Sequence, residues 1–135
     1  MVSGVHHVGV AVDDLDAAIE RWSSLYGAKL EHRRAVPDQG VEAASLRVGS
    51  DRIELLAPLG PDTPVGRFLE RRGPGMHHVA FQVDDVAAEL GRLRADGARL
   101  IDEEPRRGLF GLEVAFVHPE STGGVLAEFV ADERS

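Results

Sequence analysis

His6-His7-Val8-Gly9-Val10-Ala11-Val12-Asp13-Asp14-Leu15 returns as His77-His78-Val79-Ala80-Phe81-Gln82-Val83-Asp84-Asp85-Val86. His78 stands 71 positions after His7. Apolar and small residues alternate in both copies, which is the pattern of a strand. Each copy then meets a pair of acids and an apolar series at helical spacing: Leu15, Ala18, Ile19 and Trp22 in one, Val86, Leu90 and Leu93 in the other. Acids at a helix start cap free backbone N–H groups and suit the positive end of the dipole. Gly27 and Gly97 follow, where glycine commonly ends a helix.

The duplication runs further. Ala28-Lys29-Leu30 matches Ala98-Arg99-Leu100 with one residue lost between them. Gly40-Val41-Glu42-Ala43-Ala44-Ser45-Leu46 matches Gly111-Leu112-Glu113-Val114-Ala115-Phe116-Val117. Each copy closes on a short apolar strand with one glutamate, Arg52-Ile53-Glu54-Leu55-Leu56 and Leu126-Ala127-Glu128-Phe129-Val130. The order in each copy is strand, helix, strand, strand, strand. Strands are predicted near residues 4–12, 28–34, 41–48, 52–57, 76–83, 98–102, 112–118 and 124–130, and helices near 14–26 and 85–96. The stretch from Pro58 to Pro74 links the copies, and Val65–Glu70 within it reads as a short helix with Pro64 at its start. The expected organisation is one domain over residues 1–135, with module one about 1–57, the linker about 58–74 and module two about 75–135.

Composition narrows the class. A chain of 135 residues with 43% hydrophobic content suits one core. No apolar run approaches the roughly 20 residues of a membrane span. No basic segment followed by an apolar one opens the chain, so no signal peptide is expected. The net charge of −8 argues against a nucleic-acid surface. With no cysteine, thiolate metal sites and disulfides are excluded, and the expected location is the cytoplasm.

Side chains alternate across a strand. Val8, Val10 and Val12 share one face of the first strand, and His7, Gly9 and Ala11 the other. Val79, Phe81 and Val83 oppose His78, Ala80 and Gln82 in the same way. The bulky faces suit helices. The small or polar faces leave room for a cavity with one histidine from each copy. His6 and His77 then fall to structural roles. A single glutamate in a short apolar strand reads as a solvated edge, because burying a lone carboxylate is costly. Glu54 and Glu128 occupy matching strands of copies that also match in histidine, which points to a shared role. Two imidazoles and two carboxylates suit a divalent transition metal as a charge-neutral set.

These pieces resemble the vicinal oxygen chelate superfamily, and within it the methylmalonyl-CoA epimerase family. The resemblance covers nearly the whole chain. It is carried by His7-Val8-Gly9-Val10-Ala11-Val12, Glu54-Leu55-Leu56-Ala57-Pro58-Leu59, Thr63-Pro64-Val65 with Phe68-Leu69, and Gly75-Met76-His77-His78-Val79-Ala80-Phe81. Glu103-Glu104-Pro105, His118-Pro119 and Gly124-Val125-Leu126-Ala127-Glu128 complete it. It implies an α+β fold, two tandem βαβββ modules forming a curved, mixed eight-stranded sheet around a metal site. It implies metal ligands at His7, Glu54, His78 and Glu128, with cobalt, nickel, zinc and manganese all open. The implied reaction interconverts the C2 epimers of methylmalonyl-CoA by proton abstraction through a metal-stabilised enolate. A homodimer acting on a small acyl-CoA, with no nucleic-acid or membrane partner, is implied as well.

The chain departs from some family members, which carry glutamine at the Glu54 position and a third-strand glutamate base that would fall at Ala43. Glu42 has the opposite parity and is expected on the surface, as is Glu113. Glu128 is then the first candidate for the base and Glu54 the second. Arg106 and Arg107 suit CoA phosphates, and read equally well as a solvated surface pair. The loop Gly108-Leu109-Phe110-Gly111 is bulkier than the glycine-rich version usual there. A glyoxalase I-like lyase acting on a glutathione hemithioacetal is the nearest alternative, because Glu54 fits a His, Glu, His, Glu ligand order. A metal-free binding module would have lost ligand positions that are filled here, and an extradiol dioxygenase has no use for Glu54.

Overall fold

β1 (Val2–Ala11), α1 (Leu15–Tyr26), β2 (Lys29–Val36), β3 (Val41–Val48) and β4 (Asp51–Pro58) follow the first copy of the repeat. α2 (Pro64–Arg72) lies in the linker. β5 (Gly75–Val83), α3 (Val86–Ala95), β6 (Arg106–Arg107), β7 (Glu113–Val117) and β8 (Ala127–Ala131) follow the second. This is a computed structural model, and it describes residues 1–133; the last two positions of the expected second module lie outside the described residues. The strands run β2-β3-β4-β1-β5-β8-β7-β6 in one mixed eight-stranded sheet, as the α+β expectation requires. Among the described residues no helix is long and apolar enough to cross a membrane.

The chain divides into two compact units, His7–His77 and Met1–His6 with residues 78 onward. In the first, β1 pairs parallel with β4 (Val8 opposite Ile53, Gly9 opposite Glu54). β3 pairs antiparallel with β4, placing Ser45 opposite Glu54 and Arg47 opposite Arg52. Val10, Val12, Ala44, Leu46, Leu55 and Ala57 pack with Leu15 of α1 as its core, and Ile19 and Trp22 close over them. The alternate residues of those strands therefore face the other way. In the second unit β5 pairs parallel with β8, with Ala80 opposite Glu128. Val83, Ala115, Val117, Ala127 and Phe129 pack with Val86 and Leu90 of α3.

Both helices start on the expected acids. Asp14 Oδ1 accepts the Ala17 N–H at 3.1 Å, and Asp85 Oδ1 accepts the Ala88 N–H at 3.1 Å. Gly27 ends α1 at φ 68°, a left-handed geometry that favours glycine. The short linker helix is also present, capped by Thr63 Oγ1, which accepts the Gly66 N–H at 3.1 Å.

The predicted strand at 98–102 is not formed. Only an isolated bridge, Leu100 with Val117, remains. The reason lies in two side chains that intercept backbone groups. Ser121 Oγ accepts the Arg99 N–H at 2.7 Å and donates to the Arg99 carbonyl at 2.8 Å. Asp102 Oδ2 takes the Phe116 N–H at 2.8 Å. The edge of the sheet is supplied instead by Arg106–Arg107, paired with Val114 and Glu113. β8 starts at Ala127 rather than 124 because Gly123 and Gly124 both turn the chain at positive φ, 76° and 118°.

Candidate metal centre

In the first unit His7 projects from β1 and Glu54 from the adjacent β4. His7 Nε2 lies 3.5 Å from Glu54 Oε2. In the second unit His78 projects from β5 and Glu128 from the adjacent β8, with Nε2 to Oε1 at 3.2 Å. The same strand pairing thus makes the same contact in each copy. His7, His78 and Glu128 are buried, each about 4% exposed. The His78 ring is held edge-on to Phe116, centroids 5.4 Å apart.

His7 with Glu54 in the first unit, and His78 with Glu128 in the second, each offer an imidazole nitrogen and a carboxylate oxygen of the kind that hold a metal ion. Such a contact holds either the ring's own N–H, donated to the carboxylate, or a cation shared by the two lone pairs. Ligands bound at about 2.1 Å around one transition metal sit about 3–4 Å from each other. The His–Glu contacts fall in that range, and the donor chemistry fits a divalent ion of borderline character.

The other sequence candidates separate from this group. Glu42 takes the Arg33 Nε–H at 3.1 Å on the exposed side of β3, and Glu113 is also exposed, as their parity requires. Ala43 is buried. His6 has the structural contact expected of it, a 2.7 Å pairing of Nε2 with the buried Asp132 Oδ2. His77 meets Phe68 edge-on, centroids 5.0 Å apart. Arg106 Nε lies 3.3 Å from Asp102. Arg107 donates from Nη1 to the Gly111 carbonyl at 2.9 Å and lines a cleft with Ser3, Gln82, Glu113 and Asp132.

Sequence reading missed a second polar group on the Glu54 face of the first unit. Glu31 of β2 accepts from Arg47 Nε and Nη2 at 3.2 and 3.0 Å. It accepts from Arg52 Nε at 3.0 Å and from Ser45 Oγ at 3.4 Å. Burial pushes the Glu31 carboxyl up, but hydrogen bonds and charge from Arg52 and Arg47 together hold it below its ordinary value. The signal available in sequence was parity: Ser45, Arg47, Arg52 and Glu54 all fall on the side opposite Leu46 and Leu55.

The Glyoxalase/Bleomycin resistance protein/Dioxygenase superfamily model matches residues 6–116, and the chain belongs to that superfamily. It is 37% identical over 130 residues to the ethylmalonyl-CoA/methylmalonyl-CoA epimerase of Cereibacter sphaeroides, covering 95% of this chain and 97% of that protein. The crystal structure of methylmalonyl-CoA epimerase from Mycobacterium tuberculosis superposes with a TM-score of 0.93 at 42% identity, covering 96% of this chain and 88% of the other. A methylmalonyl-CoA epimerase in complex with methylmalonyl-CoA and NH4+ gives 0.95 at 36% identity, covering 98% and 96%. Within the superfamily the chain belongs to the methylmalonyl-CoA epimerase family.

Proposed function

We propose that this chain is a metal-dependent epimerase that interconverts the C2 epimers of methylmalonyl-CoA. The observation that carries the reading is the matched pair of His–Glu contacts, one on each copy of the repeat. On this reading His7, Glu54, His78 and Glu128 hold one divalent cation per chain, drawn from cobalt, nickel, zinc or manganese. That cation supplies a Lewis acid, lowering the cost of negative charge on the thioester oxygen. Glu128 takes the C2 proton as general base, and Glu54 returns a proton to the other face of the enolate. Glu128 then gives its proton to solvent and Glu54 regains one from it. Arg106 and Arg107 meet the CoA phosphates, Arg107 from its cleft. The two modules act as one domain over residues 1–135, in a homodimer in the cytoplasm; the lack of cysteine suits a reducing compartment.

The test is exchange of deuterium from C2 of methylmalonyl-CoA by metal-reconstituted protein and by Glu128→Gln. The intact protein exchanges, and the variant loses about 100-fold or more, the usual contribution of a positioned base. An inactive intact protein removes the epimerase reading. Glu54 also favours a glyoxalase I-like lyase, and turnover of a glutathione hemithioacetal without C2 exchange would select it.

A further inference from the structure

Beside the two glutamates the copies of the repeat differ. Ser45 of β3 lies opposite Glu54, and its match in the second copy, Phe116 of β7, lies opposite Glu128. A hydroxyl thus flanks one glutamate and an aromatic ring the other. The Glu54 side chain is 14% exposed, and that of Glu128 only 5%.

The backbone of Phe116 is held from the side away from β8. Its N–H donates to Asp102 Oδ2 at 2.8 Å, and its carbonyl accepts the N–H groups of Ile101 and Asp102, both at 3.1 Å. Phe116 and Glu128 are therefore a non-hydrogen-bonded pair across the ladder, the kind in which facing side chains come closest. Asp102 is itself held by Arg106, whose Nε lies 3.3 Å from Asp102 Oδ1. The irregular segment that replaces the expected strand at 98–102 thus acts as a clamp on Phe116. The clamped ring meets the His78 imidazole edge-on, with centroids 5.4 Å apart and planes at 84°. Aromatic rings favour this T-shaped geometry, and it opposes rotation of the imidazole plane. A serine, as in the first copy, offers no such surface.

We infer that Phe116 is a positioning residue for the proposed chemistry. Held by Asp102, it fixes the plane of the His78 imidazole, so that Nε2 is presented to the cation beside Glu128. The inference rests on the metal reading of His78 and Glu128. It makes their pair preformed, so that little freedom is lost when the cation binds.

The test titrates the metal-free protein with cobalt(II) and reads its visible absorption. NMR relaxation of the His78 ring is measured before metal is added. Phe116→Leu keeps apolar bulk and removes the ring edge. It binds cobalt(II) about tenfold more weakly, the usual cost of losing a group that supports a ligand, with a changed absorption band and a more mobile His78 ring. Phe116→Tyr keeps the ring and stays within about twofold of the intact protein. Asp102→Ala releases the clamp and leaves the ring in place. It moves all three readouts the same way by less, and it decides the matter if Phe116→Leu fails to fold. Unchanged affinity, absorption and ring motion in Phe116→Leu overturn the inference, as does an equal loss in Phe116→Tyr. An intact protein that takes up no cobalt(II), yet whose His78 ring is mobilised by Phe116→Leu, sinks the metal reading and leaves the positioning of His78 by Phe116 standing.

Discussion

Glu31 shows how a residue outside the repeat pattern comes to matter. Its carboxylate collects three cross-strand partners, and its folded pKa lies below the ordinary value. A carboxyl depressed by folding adds stability above its unfolded pKa of about 4.3, and that contribution is lost as pH falls through the lower folded value. Glu31→Gln should therefore flatten the acid limb of the stability curve below about pH 4.3 and cost roughly 1–2 kcal/mol at pH 7. Urea unfolding across a pH series measures both, and identical acid limbs would show that the pairing contributes nothing. Residue by residue, the sequence was readable where two copies could be compared. His7 with His78 and Glu54 with Glu128 stood out because an unusual residue recurs at the same strand parity. Glu31, Ser45, Arg52 and Asp132 did not, because their partners are set by register between strands or by residues far along the chain. Asp132 meets His6 across 126 positions, and no local pattern announces such a pair.

Among the elements, helix limits followed their caps, and strand limits followed side chains that compete for backbone groups. Asp14 and Asp85 could be read as caps because their geometry is local. The missing strand at 98–102 could not, because Ser121 from outside it and Asp102 at its end take backbone groups of the ladder. Phe110 adopts φ 65° in its loop, so the bulk noted in the sequence reappears as backbone strain. α2 carries the most direct packing prediction. A Cβ on Gly66 would stand 2.5 Å from the Gly60 carbonyl oxygen and 2.8 Å from that of Pro61. Backbone has little room to retreat there, so Gly66→Ala should destabilise by about 1–3 kcal/mol despite alanine's better helix propensity. An unchanged denaturation midpoint would mean that the turn before α2 yields.

For the whole molecule, the duplication explains why the same His–Glu contact occurs once in each unit. Each copy contributes the same strand pair, and each pair presents one nitrogen and one oxygen donor. Fold class was legible for this reason: strand and helix periods repeat, and the cores under α1 and α3 use equivalent positions. Chemistry was legible only through family likeness, since the fold alone serves many reactions. The claim on which the account depends is that the two His–Glu pairs serve a single ion. Titration of the metal-free protein with cobalt(II), followed by its visible absorption, tests this most directly. Saturation at one ion per chain is expected, with His7→Ala and His78→Ala each weakening binding at least about 10-fold. Saturation at two ions per chain, or full affinity retained without His78, would contradict it.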